Sequence, residues 1–432
     1  MASAIPDANR KLSYDCLKCV IQKFEVNFRF QLAERLPKMR LAEKAAPLYI
    51  SKLSISEGRV TLNDTEYLLG VLRQFREGPT PEILKEEQRR GGYKNDFDEF
   101  GFLKRSFPEL TPGDILIQDH HPAGVLNMNL ELAEANVVRH KKMLSDLERE
   151  KRDVEYGLEE VENLPQYPLE LEPEELDRRR RNFVLNREQR LRINDHNIRT
   201  IKSGLQMDEL YVLRFQCKRD NRPLPYDMFI QYTKKSPDGN VYIERLKYDK
   251  TIMEARKYLI CKFLGNRPVV TKIRSLGFWA VPYDGLVIGL PEGIKLDVQE
   301  FGTSGKLSEV LQSVETILEH PNRPFTRLES DRSRLEDVRN PKVGNAGVLV
   351  LRIKWEDDII ALCREVTNKK FVITNGRNIQ SGQFGVLAEN LINTKGTLGT
   401  CYEFNQLSWP TKRDAMKAIA QRFGIDVDER QV

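Results

Sequence analysis

The sequence predicts an α/β protein with a small three-helix module, a long charged helical hairpin or coiled coil, and irregular βα repeats. Three observations support this: short helical patterns before residue 48, an unbroken heptad spacing after residue 129, and alternating strands and helices beyond about residue 265. The predicted segments are 1–48, 49–126, 127–210 and 211–432. A chain of 432 residues exceeds one ordinary core, which agrees with several units.

Residues 12–48 carry three short apolar patterns with helical spacing. The first begins after Ser13, a residue type suited to an N-cap. The second and third patterns end at Pro37 and Pro47. Three short helices bury little surface, so we expect this module to gain stability from a partner or from the next domain.

The next segment changes period. Alternating residues at 49–55 and 60–62 predict a pair of strands, and Asn63–Asp64 predicts a turn into a further strand or helix at 67–72. Residues 77–119 are rich in Gly, Pro and acidic side chains, which predicts extended and largely irregular chain.

The middle of the chain follows a heptad seam over more than four heptads. Its positions are Leu130, Ala133, Val137, His140, Leu144, Leu147, Lys151, Val154, Leu158 and Val161. Prolines at 165 and 168 end the helix, and a second helix is expected to begin near Pro173. An antiparallel helical hairpin is the simplest interpretation, and a homotypic coiled-coil dimer is the alternative.

The carboxyl half alternates strands with helices. A hairpin turn is predicted at Ser236–Gly239, and a helix over 252–263 that ends at Gly265. The expected strands are 269–273, 294–301, 325–329, 348–355, 371–374 and 400–404, and helical patterns lie at 307–318, 384–392 and 412–423. A degenerate leucine-rich-like repeat array is the preferred interpretation, ahead of a compact open α/β sheet.

Composition argues against several classes of protein. The net charge of +5 arises from 69 basic and 64 acidic residues of interspersed sign, which describes a solvated surface and not a nucleic-acid footprint. No apolar run reaches the roughly 20 residues of a membrane span, and residues 1–7 lack the apolar core of a signal peptide. Six scattered cysteines indicate reduced thiols packed as small hydrophobic groups, hence a cytoplasmic or nuclear protein.

Local motifs predict no catalytic centre, metal or cofactor. Cys16 and Cys19 lack further ligands for zinc, and we expect them to pack in a core. Residues 302–306 differ from a phosphate-binding loop in glycine spacing, so a strand-to-helix turn is expected. Residues 96–101 begin like a calcium loop but place Phe where oxygen ligands are required. These acids are expected to hydrogen-bond a loop or to face a basic surface.

Several blocks together resemble a known family. Leu12–Val20 resembles the opening of an F-box. The blocks 90–93, 96–102, 223–228, 244–248 and 255–259 resemble the nematode-specific domain of unknown function found in F-box-associated proteins of the "F-box C" type. The resemblance covers most of the chain from Leu12 to Glu329 and is weaker beyond it.

This resemblance implies a substrate receptor that bridges a Skp1-type ubiquitin-ligase adaptor and a target protein. The implied adaptor contacts are Leu12, Ser13, Leu17, Val20, Ile21, Leu32 and Leu36. The chain departs from the family at Ser13, where Pro is usual, and at 38–40, where an aromatic residue is common. The alternative is a structural scaffold that self-associates through residues 130–161, with the amino-terminal helices serving only as a cap.

Overall fold

The computed structural model describes residues 13–104, 110–118, 128–156, 187–280, 286–331, 334–352, 359–374, 383–384, 386–387, 389, 399–405 and 409–424. Its helices are α1 (Tyr14–Gln22), α2 (Val26–Arg35), α3 (Arg40–Ala45), α4 (Glu82–Arg89), α5 (Leu130–Tyr156), α6 (Arg187–Arg219), α7 (Ile252–Leu264), α8 (Leu307–Val314), α9 (Leu335–Val338), α10 (Pro341–Gly344), α11 (Ile359–Glu365) and α12 (Trp409–Phe423). Single 3-10 turns lie at Pro37–Met39 and Glu315–Ile317.

The strands of the described chain are β1 (Tyr49–Ser56), β2 (Arg59–Leu62), β3 (Thr65–Phe75), β4 (Asp114–Gln118), β5 (Tyr226–Lys235), β6 (Val241–Lys247), β7 (Thr271–Trp279), β8 (Leu286–Gly289), β9 (Leu296–Thr303), β10 (Arg327–Ser330), β11 (Val348–Arg352), β12 (Lys370–Thr374) and β13 (Cys401–Phe404). The mixture of a large sheet with many helices confirms the predicted α/β class.

The chain divides into two compact units. The first contains 1–71, 105–123 and 230–432, and the second contains 72–104 and 124–229. The division falls inside β3 and inside β5, so each of these strands contributes to both units. The four segments proposed from sequence stay a prediction, because segments along a chain and compact units are different divisions.

The first unit is built on a sheet with the strand order β13-β12-β11-β10-β9-β7-β1-β2-β3-β5-β6. Strands β7, β9, β10, β11, β12 and β13 lie side by side in chain order and pair in parallel. Strand β1 also pairs in parallel with β7, whereas β1, β2 and β3 pair antiparallel in succession. Neighbouring parallel strands in chain order are the arrangement expected of stacked βα units.

The six carboxyl-half strands expected from sequence are all found in this parallel array, with ends shifted by a few residues. Register partners on one face of the array are Leu276, Phe301, Leu328, Leu349, Phe371 and Tyr402, which are 21 to 31 residues apart. This spacing is too uneven to define a repeat family, so the leucine-rich-like interpretation stays a prediction.

Apolar packing and one asparagine hold the parallel strands together. Phe301 contacts Phe278 edge-on, with ring centroids 5.6 Å apart, and also lies against Phe325. Buried Asn368 precedes β12 and donates to the carbonyl oxygens of Val343 (2.8 Å) and Ala346 (2.7 Å) in the turn before β11. Because buried carbonyl groups need hydrogen-bond donors, Asn368 fixes the distance between the segment that precedes β11 and the segment that precedes β12.

The amino-terminal helices are part of the first unit, joined to it by a buried ion cluster. The carboxylate of Glu43, on α3, contacts Arg29 of α2 at 3.1 Å and Arg267, just after α7, at 2.7 and 2.9 Å. Arg29 also donates to the carbonyl of Pro47 at 2.7 Å. All three charged side chains are at most 3% exposed. Burial lowers the pKa of both guanidinium groups, and the Glu43 carboxylate opposes that shift.

The second unit contains two long helices that pack against each other in antiparallel orientation. Lys151 of α5 pairs with Asp195 of α6 (2.8 Å), and His140 pairs with Asp208 (2.6 Å), so residue numbers rise on α5 as they fall on α6. The connection between the helices lies outside the described residues, as do seam positions Leu158 and Val161. A helical hairpin therefore stays a prediction, and the antiparallel pairing is a finding.

The expectation of irregular chain over residues 77–119 was wrong at two places. Helix α4 forms at 82–89 because Leu84 is buried and exposed ion pairs, such as Arg89 with Glu82 (2.8 Å), support its outer side. Strand β4 forms at 114–118 by pairing with β8, with Ile115 opposite Ile288. Neither element was predicted, because the high content of Gly and charged residues in this segment gives no clear apolar periodicity.

The acidic loop between these elements is stabilised by hydrogen bonds to its own backbone, which is the first of the two roles predicted for its acidic residues. The Asp98 carboxylate accepts from the N–H groups of Phe100 (3.0 Å) and Phe102 (2.8 Å). The ring of Phe97 packs against two buried guanidinium groups, those of Arg73 (4.9 Å to the ring centroid) and Arg214 (5.8 Å). Cation–π contact thereby fixes this loop in the second unit.

We expect Glu43→Gln to lower the free energy of unfolding by about 3–5 kcal/mol, because it leaves two buried guanidinium groups without a counter-charge. Urea unfolding followed by circular dichroism measures the change. Glu34→Gln is the matched control, since Glu34 pairs with Lys262 on the surface and its loss should cost about 0–1 kcal/mol. Equal effects of the two substitutions would contradict the central role given to Glu43.

Candidate protein-interaction surfaces

Five large apolar side chains project from the amino-terminal helices into solvent. They are Leu41 (78% exposed), Tyr14 (51%), Phe28 (48%), Leu36 (48%) and Val20 (39%). We call this set the N-terminal apolar face. Single exposed apolar residues are common, but five within 28 residues of one compact group of helices are typical of an interaction surface.

Local sequence explains why these helices form. Ser13 caps α1 by accepting from the Cys16 N–H at 3.2 Å, and Glu25 caps α2 by accepting from the Phe28 N–H at 3.0 Å. Beneath the exposed side chains, Ile21 packs in a small core with Ala42 and Ala46, against which Leu17 and Met39 also lie. Small alanines allow α1 and α3 to approach closely.

Aromatic packing attaches α2 to the rest of the first unit. The Phe30 ring stacks on Phe263 of α7 with centroids 4.8 Å apart, and Tyr67 of β3 lies 5.0 Å from the same Phe263 ring. The Tyr67 hydroxyl donates to the Asn27 side chain at 2.7 Å, and burial raises the pKa of this hydroxyl. On α3, burial lowers the pKa of Lys44 to about 8, and nearby Arg267 adds repulsion.

The residues implied as adaptor contacts have different environments. Val20 and Leu36 belong to the exposed N-terminal apolar face, whereas Leu17 and Leu32 are half-buried. Ile21 is 1% exposed and supports the helix from inside. Ser13 is the N-cap, and Leu12 lies outside the described residues. The structure adds Tyr14, Phe28 and Leu41 to the exposed residues. The apolar spacing of the sequence does not distinguish these positions from buried ones.

The expectation that Cys16 and Cys19 pack in a core was wrong. All six cysteines are free, but Cys16, Cys19 and Cys401 are exposed and only Cys217 and Cys363 are fully buried. Helix α1 turns Ile21 toward the core, and Cys16 and Cys19 therefore lie on its outer side. Burial raises the pKa of the Cys363 thiol to about 12, as expected of a thiol used only for packing.

A second surface lies on the face of the parallel array opposite the Leu276–Tyr402 row. Three ion pairs cross it, Arg274–Glu300 (3.4 Å), Arg327–Glu329 (3.1 Å) and Lys370–Glu403 (2.9 Å). We call these six side chains the charged sheet face. All are at least partly exposed, so each pair contributes little to stability and remains open to a partner.

One tryptophan lies flat on the same side of the sheet. Gly277 and Gly302 are register partners on β7 and β9, and a Cβ atom on either would come within 2.3 and 2.7 Å of the Trp279 indole. These two glycines therefore create the space that the indole occupies. The Trp279 indole therefore packs directly on the backbone of β7 and β9. A half-buried tryptophan held in one position is typical of an interaction hot spot.

The α5–α6 pair uses the predicted seam within one chain. Ala133 and Val154 of the seam are buried, Val137, Leu144 and Leu147 are half-buried, and Leu130 is likewise partly covered. The two polar seam residues have partners on α6, Asp208 for His140 and Asp195 for Lys151. An open groove of about 410 Å³ runs between the helices. It is lined by Met143, Asp146, Leu147, Asn197, Thr200 and Ile201.

Across the described residues, no three His, Cys, Asp or Glu side chains come together as metal ligands would. None of the helices that the structure describes combines the length and the apolarity needed to cross a membrane. The segment at 302–306 is a strand-to-helix turn between β9 and α8, as predicted.

One family model matches the chain. It is described as "Domain of unknown function (DUF3557)" and covers residues 251–406. The match begins at Thr251, which caps α7, and includes the parallel array from β7 to β13. Neither a curated protein nor a solved structure matches the chain significantly.

Proposed function

We propose that this chain is a protein-interaction module of divergent F-box type, without catalytic residues of its own. In this proposal the N-terminal apolar face binds a Skp1-type adaptor of a ubiquitin ligase, and the first unit also holds a target protein. The single observation that carries the proposal is the concentration of exposed apolar side chains within residues 14–41. The resemblance of residues 12–20 to an F-box identifies the kind of partner.

The N-terminal apolar face suits a partner because its support is rigid. The buried Glu43 cluster and the Phe30–Phe263 stack hold α2 and α3 against the rest of the first unit. The exposed apolar side chains are not part of these contacts. A surface that is already ordered loses less conformational entropy on binding, which favours affinity. Desolvation of Leu41, Tyr14 and Phe28 would supply the apolar contact.

The charged sheet face is the proposed site for the target. Each ion pair places a positive and a negative side chain close together, so a partner must present matching charges in a fixed arrangement, which favours specificity over affinity. Trp279 adds an apolar contact point on the same side of the sheet. This surface lies within the region that matches the family model.

Val20→Asp should weaken adaptor binding at least tenfold in a pull-down or calorimetric titration, because it places a charge in an apolar contact. Val20 is exposed, so the unit should stay folded. Val138→Asp, the same substitution at an exposed valine of α5, serves as the matched control and should bind normally. Unchanged binding by Val20→Asp, or no binding by the parent chain, would reject the adaptor proposal.

A second candidate function is a structural scaffold that self-associates through the helical pair. The open groove between α5 and α6 favours it, since Met143 and Leu147 line that groove and could receive a helix of a second copy. The seam itself already faces α6, so a dimer would use the groove and not a seam-to-seam coiled coil.

Light scattering on the full chain tests this second function. The scaffold function predicts a measured mass of twice the 50.2 kDa of one chain. It also predicts that Met143→Lys lowers the measured mass to that of one chain, because burying a lysine in the apolar groove is unfavourable. Met416→Lys alters another exposed methionine, on α12, and should leave the assembly intact. A parent chain of single mass rules out the scaffold.

A further inference from the structure

Two exposed thiols lie one helical turn apart on α1. Cys16 and Cys19 are both free and exposed, and they are three positions apart within Tyr14–Gln22. Side chains at this spacing are neighbours on a helix surface, with Cβ atoms about 5–6 Å apart. Cys401, the third exposed cysteine, lies on β13, so the described chain also contains a single exposed thiol for comparison.

Both thiols are accessible to a small oxidant. Cys16 and Cys19 are exposed and neither belongs to a disulfide. Cys16 lies in the first turn of α1, where its N–H donates to the Ser13 side chain at 3.2 Å. Lys18, which lies between the two thiols in sequence, pairs with Asp15 at 2.7 Å.

We propose that Cys16 and Cys19 form a redox-active dithiol that a mild peroxide oxidises reversibly to an intrahelical disulfide. One thiolate attacks a peroxide oxygen, which gives a sulfenic acid and releases the other oxygen as water after protonation. The second thiol then attacks the sulfenic sulfur, the S–S bond forms, and a second water leaves. Overall, two thiols and one hydrogen peroxide give one disulfide and two waters. Two molecules of a small thiol such as glutathione reduce this disulfide back to the dithiol and are themselves joined as a disulfide.

Oxidation must alter the local shape of α1. A disulfide needs Cβ atoms about 3.5–4.5 Å apart, which is closer than regular helix geometry places them. The first turn must therefore tighten or unwind when the bond forms. Val20 directly follows Cys19, so oxidation would change the N-terminal apolar face; this consequence rests on the proposed function, whereas the redox step does not.

Phenylarsine oxide tests the dithiol on the full chain, because its arsenic bridges two neighbouring thiols with loss of one water. Intact mass spectrometry should show one adduct on the parent chain and none on Cys16→Ser. The double substitution Lys18→Cys with Cys19→Ser keeps two thiols but moves the second one from position 19 to position 18. Side chains at positions 16 and 18 do not face each other on a helix, so this variant should also lose the adduct. An adduct that persists in either variant, or none on the parent chain, would overturn the proposal.

Peptide mapping after treatment with dilute hydrogen peroxide tests the redox step. We expect the peptide containing both cysteines to lose two hydrogen atoms and to regain them with dithiothreitol, while Cys401 forms no internal disulfide. Oxidation of Cys16 or Cys19 only to sulfinic acid would contradict the proposal. Adaptor binding is measured separately, so its absence removes the proposed function without affecting this result.

Discussion

A single buried carboxylate determines where the amino-terminal helices lie. Glu43 contacts Arg29 and Arg267 at the same time, and none of the three side chains is more than 3% exposed. Such a cluster is stable only when every charge has its partner, so α2, α3 and the segment after α7 must come together in one geometry. The N-terminal apolar face depends on that geometry, because its exposed side chains are held from below by these helices.

The same constraint explains why exposed apolar residues are tolerated at this end of the chain. The Glu43 cluster and the Phe30–Phe263 stack provide the cohesion, and Leu41, Tyr14 and Phe28 are therefore not needed for the core. In the parallel array, the hydrogen bonds of Asn368 and the ring contacts of Phe301 fix the spacing of the strands. The opposite face of the sheet is therefore free to carry charged pairs. Each candidate surface thus has a rigid support of its own.

Much of the fold could be predicted because it follows from local periodicity. The six strands of the parallel array and the helices near Ser13 and Gly265 have clear apolar patterns, and the structure contains them. Helix α4 and strand β4 could not be predicted, since α4 is held by one buried leucine and surface ion pairs, and β4 depends on distant β8. The joining of Glu43 to Arg267 was equally invisible, because nothing local pairs residues 224 positions apart.

For the candidate surfaces, the sequence predicts amino-terminal helices but does not show which of their side chains face outward. The implied adaptor contacts include both Ile21 and Val20, yet Ile21 lies in the core and Val20 on the surface. Hydrogen exchange on the full chain, with and without a Skp1-type adaptor, shows directly where the adaptor binds. If it binds the N-terminal apolar face, added protection should be confined to the amides of residues 14–45. No added protection there, or protection only in α5 and α6, would contradict binding at this face.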